Sequence, residues 1–168
     1  MARTQNPILP ELPPDHLNQL IGVLTRREVE ARLLAPLVAA LETEFGEERV
    51  LRVLRETIVA IARRQGADLV QAVGGDSLAH FRESFAHWTR GKALEIEVVE
   101  EGEQIFAFNV TRCRYAEMYR ELGILRLGPI LSCSRDFALI EGFNPRIRLA
   151  RTQTLMEGAP HCDFRYEG

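Results

Sequence analysis

The stretch Leu94-Glu-Ile-Glu-Val-Val-Glu-Glu-Gly-Glu-Gln-Ile-Phe-Ala-Phe-Asn109 decides the fold, because within it the hydrophobic pattern changes from helical to strictly alternating. Leu94, Ile96 and Val98 alternate with charged residues, Glu101-Gly102-Glu103 supplies a turn, and Ile105, Ala107 and Asn109 resume the alternation. This is a β-hairpin. Beyond it, Thr111 to Leu122 reads as a helix ended by Gly123, and Gly128-Pro129 opens another, since proline suits the first helical position. Ile147, Leu149 and Arg151 through Met156, a turn at Glu157-Gly158, and Cys162 to Tyr166 read as a closing hairpin. Strands joined in hairpins imply an antiparallel sheet, so the expected class is α+β: a helical N-terminal half packed on a sheet of two hairpins with two intervening helices.

Upstream, Leu17, Leu20, Ile21 and Leu24 mark a short amphipathic segment. Thr25-Arg-Arg-Glu28 has capping-box spacing and is expected to open a helix with Val29, Leu33, Leu37 and Leu41 on its buried face, kinked at Pro36. Glu47 to Arg64 carries Val50, Leu54, Ile58 and Ile61 at helical spacing between Gly46 and Gly66. A further helix from Ala67 breaks at Gly74-Gly75 and resumes behind Asp76 as N-cap, with Phe81, Phe85 and Trp88 directed to the core. Residues 1–14 hold four prolines and no apolar period, so they read as an extended arm before a single domain at 15–168.

Composition narrows the function. The 168 residues are 46% hydrophobic and 27% charged, the balance of one globular domain large enough to enclose a small-molecule site. A net charge of −3 gives no basic field for a phosphate backbone, which argues against nucleic acid. Leu33 to Leu41 is the longest apolar stretch and is interrupted by Pro36, so no membrane span is expected. The N-terminus lacks the apolar core of a secretory signal, and a cytoplasmic location is expected. Three cysteines then read as free thiols rather than a disulfide framework. Nucleotide-binding, zinc-protease and serine-hydrolase signatures are absent.

The chemistry-bearing residues gather in the last third. Cys113, flanked by Arg112 and Arg114 in the first turn of its helix, is a candidate nucleophile, because a helix N-terminus and guanidiniums favour thiolate. Glu117, one turn on, is a candidate base or orienter, against the plainer reading of a packed thiol and a solvated carboxylate. Cys133 and Asp136 share one face of a mostly apolar helix, where the carboxylate needs a partner, and Arg151 or Arg165 can supply it. The plain alternative is a structural Asp–Arg pair. In the final strand His161, Asp163 and Arg165 share one face, either a ligand-facing row or a solvated edge, while Cys162, Phe164 and Tyr166 on the other look like core. His80 and His87 read as surface or packing residues. Cys113, Cys133, Cys162 and His161 could formally ligate a metal, although their spacing matches no standard zinc pattern.

Phe108-Asn-Val-Thr-Arg-Cys113-Arg-Tyr-Ala-Glu117-Met-Tyr119, Leu131-Ser-Cys133-Ser-Arg-Asp136, Gly142-Phe-Asn-Pro, Arg151-Thr-Gln-Thr and Glu157-Gly-Ala-Pro-His161-Cys-Asp-Phe-Arg-Tyr166 together resemble the L-2-amino-thiazoline-4-carboxylic acid hydrolase family. The resemblance runs over residues 105–166. It implies hydrolysis of a non-peptide C–N bond in a small cyclic amidine, most specifically ring opening of 2-amino-thiazoline-4-carboxylate to a carbamoyl-cysteine on a bacterial route to cysteine. Such chemistry requires a nucleophile, a proton shuttle and a carboxylate for the cationic N–C–N unit. Cys133 or Cys113 would attack the ring carbon or orient water. Asp136 or Glu117 would hold the amidine, with His161 as a further proton carrier. Arg151 and Arg165 are the candidates for clamping a substrate carboxylate, and Asp163 and Tyr115 are further substrate contacts. No cofactor is required, a divalent metal is left open, and the expected partner is a small molecule, with a homo-oligomer open. The competing expectations are a ligand- or metal-binding sensory domain without turnover and an inert scaffold.

Overall fold

Phe106, Phe108 and Val110 are almost free of solvent, and the strand that carries them organises the fold. In the computed structural model, which describes residues 9, 10, 15 and 17–168, β2 (Ile105–Cys113) pairs antiparallel with β1 (Leu94–Glu101) and with β4 (Cys162–Glu167). β3 (Arg148–Ala150) adds to the far side of β4, giving the order β1-β2-β4-β3. The register places Phe106 opposite Tyr166, Phe108 opposite Phe164 and Val110 opposite Cys162. Alternation therefore delivers all six side chains to one face, where they join one hydrophobic core.

The helical half supplies a second core. α1 (Leu17–Ile21), α2 (Val23–Phe45) and α3 (Glu47–Val73) precede the short helices α4 (Leu78–Glu83) and α5 (Ala86–Thr89). After the first hairpin come α6 (Arg114–Glu121), a π-helical turn at Pro129–Cys133 and α7 (Ser134–Phe143). Val23, Ala31, Val38 and Ile58 from α2 and α3 pack with Tyr115 and Tyr119 of α6. The result is an α+β fold with a helical N-terminal half on a four-stranded antiparallel sheet. Among the described residues, no helix is long and apolar enough to cross a membrane.

Several local expectations change. α2 begins at Val23 behind Gly22, whose φ of 77° only glycine adopts easily, so Thr25 and Glu28 lie inside the helix and form no capping box. Its buried face is Val23, Arg27, Ala31 and Val38, whereas Val29, Leu33 and Leu37 face solvent at 62%, 70% and 50% exposure. Pro36 stays within the helix on its exposed side, where water can meet the carbonyl it leaves unpaired. α3 runs without a break through Gly66, because that glycine is a contact and not a stop. A Cβ there would stand 2.0 Å from the Leu139 carbonyl oxygen, and one on Gly142 would stand 1.9 Å from that of Arg63. The two glycines let α3 and α7 cross with their backbones touching.

Ser77, not Asp76, caps α4 by accepting the His80 N–H, and the aromatic helix divides between Glu83 and Ala86. Phe81, Phe85 and Trp88 nevertheless meet as a cluster, with Phe81 and Phe85 edge to face at 6.4 Å. β2 continues through Thr111 and Arg112 to Cys113, so α6 starts only at Arg114. The closing hairpin has a short first strand. Its chain then leaves the sheet, held by Asp163, which accepts the backbone N–H groups of Thr152 and Gln153 at 2.9 Å each. The expected arm at residues 1–14 lies outside the described residues except for Leu9 and Pro10, whose carbonyl accepts from Arg64 at 2.9 Å.

Candidate functional site

Gly128-Pro129 starts the π-helical turn with proline at its first position, and the turn ends at Cys133 before α7 takes over. A wide turn of this kind offsets the helix and is frequent at functional sites. Cys133 and Asp136 thus sit where the chain passes from π to α geometry. Arg151, leaving β3, donates to the Asp136 carboxylate and, through its other terminal nitrogen, to the Cys133 carbonyl at 3.1 Å. The guanidinium also lies over the rings of Phe137 and Phe164, 5.1 and 5.2 Å from their centroids. Of the two partners expected for Asp136, Arg151 is the one that binds it.

These residues face a cavity of about 110 Å³ at the seam between the two cores. Cys113, Cys133, Cys162, Asp136, Arg151 and Tyr115 all line it. Much of the remaining wall is aromatic: Phe85 meets Phe108 edge to face at 4.8 Å, and Phe108 stacks on Phe164 at 5.0 Å. A void of that size is of the order that accepts one small, benzene-sized ring.

Burial governs the electrostatics. The Asp136 carboxyl is pushed up to about 6 by desolvation, with the Arg151 guanidinium pulling the other way. The Cys113 thiol is pushed up to about 11 by burial, against the backbone N–H groups of Ala116 and Tyr115. Cys133 is raised further, by burial and then by the Asp136 charge, and Cys162 and Tyr115 are raised by burial as well. The expectation that helix end and arginines favour a Cys113 thiolate is therefore corrected: the thiol lines the cavity, and its desolvation outweighs the backbone N–H groups at the start of α6.

Other expected site residues stand elsewhere. Glu117 faces away from the cavity and binds Arg112 at 2.7 Å on the exposed side of α6. Arg165 donates to the carbonyls of Phe108 and Phe164 at 2.8 Å each and to the Asn109 side chain at 2.9 Å, which ties β2 to β4. Asp163 is engaged by the Thr152 hydroxyl at 2.6 Å and by the two backbone groups already described. His161 lies in the turn before β4 and is not part of the cavity wall. Among the described residues no three His, Cys, Asp or Glu side chains are grouped to hold a metal, so the formal ligand set of three cysteines and His161 is not assembled.

Sequence reasoning missed Arg27, Ser132 and Arg135, which also line the cavity. A charged residue in a helix reads as solvated unless the neighbouring elements are known, and both arginines are buried. The one available signal was Arg27 standing four residues before Ala31 on the narrow face that turns inward.

A family model described as L-2-amino-thiazoline-4-carboxylic acid hydrolase matches residues 26–166. The chain belongs to this family. The match extends the likeness read in residues 105–166 back through the helical half, so α2 and α3 are part of the hydrolase-family domain. No curated protein matches. Among solved structures, the phenol-responsive sensory domain of the transcription activator PoxR with phenol is 14% identical, with 80% of this chain and 72% of that one aligned at a TM-score of 0.48. A trafficking protein particle complex subunit 3 from Naegleria fowleri, covalently bound to palmitic acid, is 10% identical over 85% of this chain and 95% of that one, at a TM-score of 0.49.

Proposed function

We propose that this protein hydrolyses a non-peptide C–N bond in a small cyclic amidine, with ring opening of 2-amino-thiazoline-4-carboxylate to a carbamoyl-cysteine as its reaction. Family membership supports the hydrolase reading. The observation that carries the rest is the placement of Cys133, Asp136 and Arg151 on one wall of a cavity sized for a single ring.

Asp136, ionised above about pH 6, accepts hydrogen bonds from the amidine nitrogens and balances their positive charge. That cation, placed beside Cys133, lowers the cost of forming a thiolate that the empty site disfavours. The sulfur adds to the ring carbon, its proton passing to Asp136. The electron pair of the C=N bond moves to the ring nitrogen, which takes the proton back from Asp136 as the C–N bond breaks. Water then adds to the same carbon and displaces the Cys133 sulfur, so that one water is consumed and the thiol is restored. Arg151 keeps Asp136 oriented throughout. The aromatic wall shields one side of the intermediate from bulk water.

The same raised thiols and aromatic wall also suit a domain that binds a ring and releases it unchanged. One assay separates the two readings. The purified protein is mixed with 2-amino-thiazoline-4-carboxylate and the appearance of carbamoyl-cysteine is followed, with Cys133→Ser, Cys113→Ser and Asp136→Asn in parallel. Hydrolysis predicts product from the wild type, loss of roughly a hundredfold or more in Asp136→Asn, and a larger loss in Cys133→Ser than in Cys113→Ser. Stoichiometric binding with no product establishes the second reading and rejects the first.

A further inference from the structure

Two arginines of the cavity wall have no part in the mechanism above: Arg27 from α2 and Arg135 from α7. They are 5% and 6% exposed. Both approach one oxygen of Glu30, Arg27 at 2.6 Å and Arg135 at 3.5 Å, while the other oxygen accepts from Arg26 at 2.8 Å. Arg26 in turn reaches Asp15 at 2.5 Å, so these ion pairs set three guanidiniums against two carboxylates. A guanidinium keeps its proton in proteins, and the cluster therefore holds a positive charge in excess, partly against the cavity. Arg135 also donates to the Leu131 carbonyl at 2.8 Å and to the Gln65 side chain at 3.3 Å, but both are neutral acceptors. Burial, followed by the neighbouring Arg27, pushes Arg135 down to about 9, the direction expected of a buried cation short of a counter-ion.

Of the other arginines considered for an anion, Arg151 is committed to the catalytic pair and Arg165 is not part of the cavity wall. Arg151 holds Asp136 and the Cys133 carbonyl, and Arg165 holds two strand carbonyls and Asn109. We propose that Arg27 and Arg135 form the anion-recognition end of the cavity and select rings that carry a carboxylate. This assignment rests on the hydrolase reading for the identity of the substrate, whose ring bears an amidine and a carboxylate. The cavity mirrors that pairing, with Asp136 for the cationic group and a cluster rich in guanidinium for the anionic one. A planar guanidinium binds a carboxylate through paired N–H groups, which gives orientation as well as affinity.

The test compares thiophene-2-carboxylate with thiophene-2-carboxamide, rings of one size that differ in charge, by calorimetric titration of the full-length protein. The wild type should bind the carboxylate at least about tenfold more tightly. Arg27→Met and Arg135→Met should each remove most of that preference while leaving carboxamide binding within about threefold, and Arg27→Lys should retain part of it. Arg27→Met combined with Glu30→Gln guards against misfolding from an unpaired acid. Equal affinity of the wild type for both rings, binding of neither, or a preference that survives both methionine variants overturns the assignment, and the wild-type comparison decides it if no variant folds. Ring opening is scored separately: a carboxylate preference without product would sink the hydrolysis and leave the anion site standing.

Discussion

Arg151 joins the Asp136 side chain to the Cys133 carbonyl, so one guanidinium from the sheet fixes both the carboxylate and the turn that carries the thiol. Its side chain is 8% exposed and that of Asp136 is 32% exposed. Arg151→Met should therefore destabilise the protein, by on the order of 1–2 kcal/mol read by urea unfolding, less than for a fully buried pair because Asp136 is partly solvated and can take up a proton when its partner is lost. Arg151→Lys keeps the charge but lacks the planar fork that reaches both acceptors, and should recover less than half of that loss.

Asp136 also predicts a pH dependence. Its folded-state value of about 6 lies above the roughly 3.9 of an unfolded chain. Between these limits the unfolded chain loses its proton first and the native state binds more protons, so this residue's contribution falls as pH rises from about 4 to about 6. Wild-type stability relative to Asp136→Asn should decline across that window and level off above it. Under the proposed mechanism kcat/KM rises with a midpoint near pH 6, and an activity flat from about pH 5 to 8 would remove Asp136 as the proton acceptor.

The thiols should be sluggish in the ligand-free protein. A Cys113 thiol at about 11 has roughly a few hundredfold less thiolate at neutral pH than an ordinary cysteine. Alkylation by iodoacetamide at pH 7.5, read residue by residue by mass spectrometry, should be slower at Cys133 than at an unstructured thiol by at least about tenfold. Rapid labelling of Cys133 in the empty site would contradict the burial that sets its proton affinity.

Gly142→Ala should be costly. The added carbon would sit 1.9 Å from the Arg63 carbonyl oxygen, and only separation of α3 from α7 relieves it. Overpacking of this kind costs about 3 kcal/mol, equivalent to a fall in Tm of roughly 10 °C for a chain of this length.

The sheet was legible because alternation depends only on neighbours along a strand, and Cys162, Phe164 and Tyr166 face inward as read. In β2 the alternation was marked on Ile105, Ala107 and Asn109, whereas Phe106, Phe108 and Val110 form the core face, since a strand apolar on both sides does not say which one is covered. α2 was not legible. Val29, Leu33 and Leu37 form a regular apolar stripe, yet the helix buries Arg27, Ala31 and Val38, since a stripe records helical periodicity without saying which face finds a partner. Gly66 shows the same limit from another side: local sequence treats a mid-helix glycine as an interruption, and only the approach of α7 makes it a contact. In the site, Cys133 with Asp136 and the need for an arginine partner, Arg151 or Arg165, followed from spacing and the cost of an unpaired buried charge, and the structure decides for Arg151. Arg27 and Arg135 did not, because their burial comes from helices distant in sequence.

The crossing at Gly66 and Gly142 holds α7 against α3 backbone to backbone. Asp136 and Arg135 belong to the helix that this crossing clamps, and Cys133 directly precedes it. Phe85 and Trp88, also on the cavity wall, belong to a short segment held by its ring contacts and by the Tyr115 hydroxyl, which donates to the Trp88 carbonyl at 3.3 Å. Exchanging those rings would alter which guests fit while the helix that carries Asp136 and Arg135 stays in place.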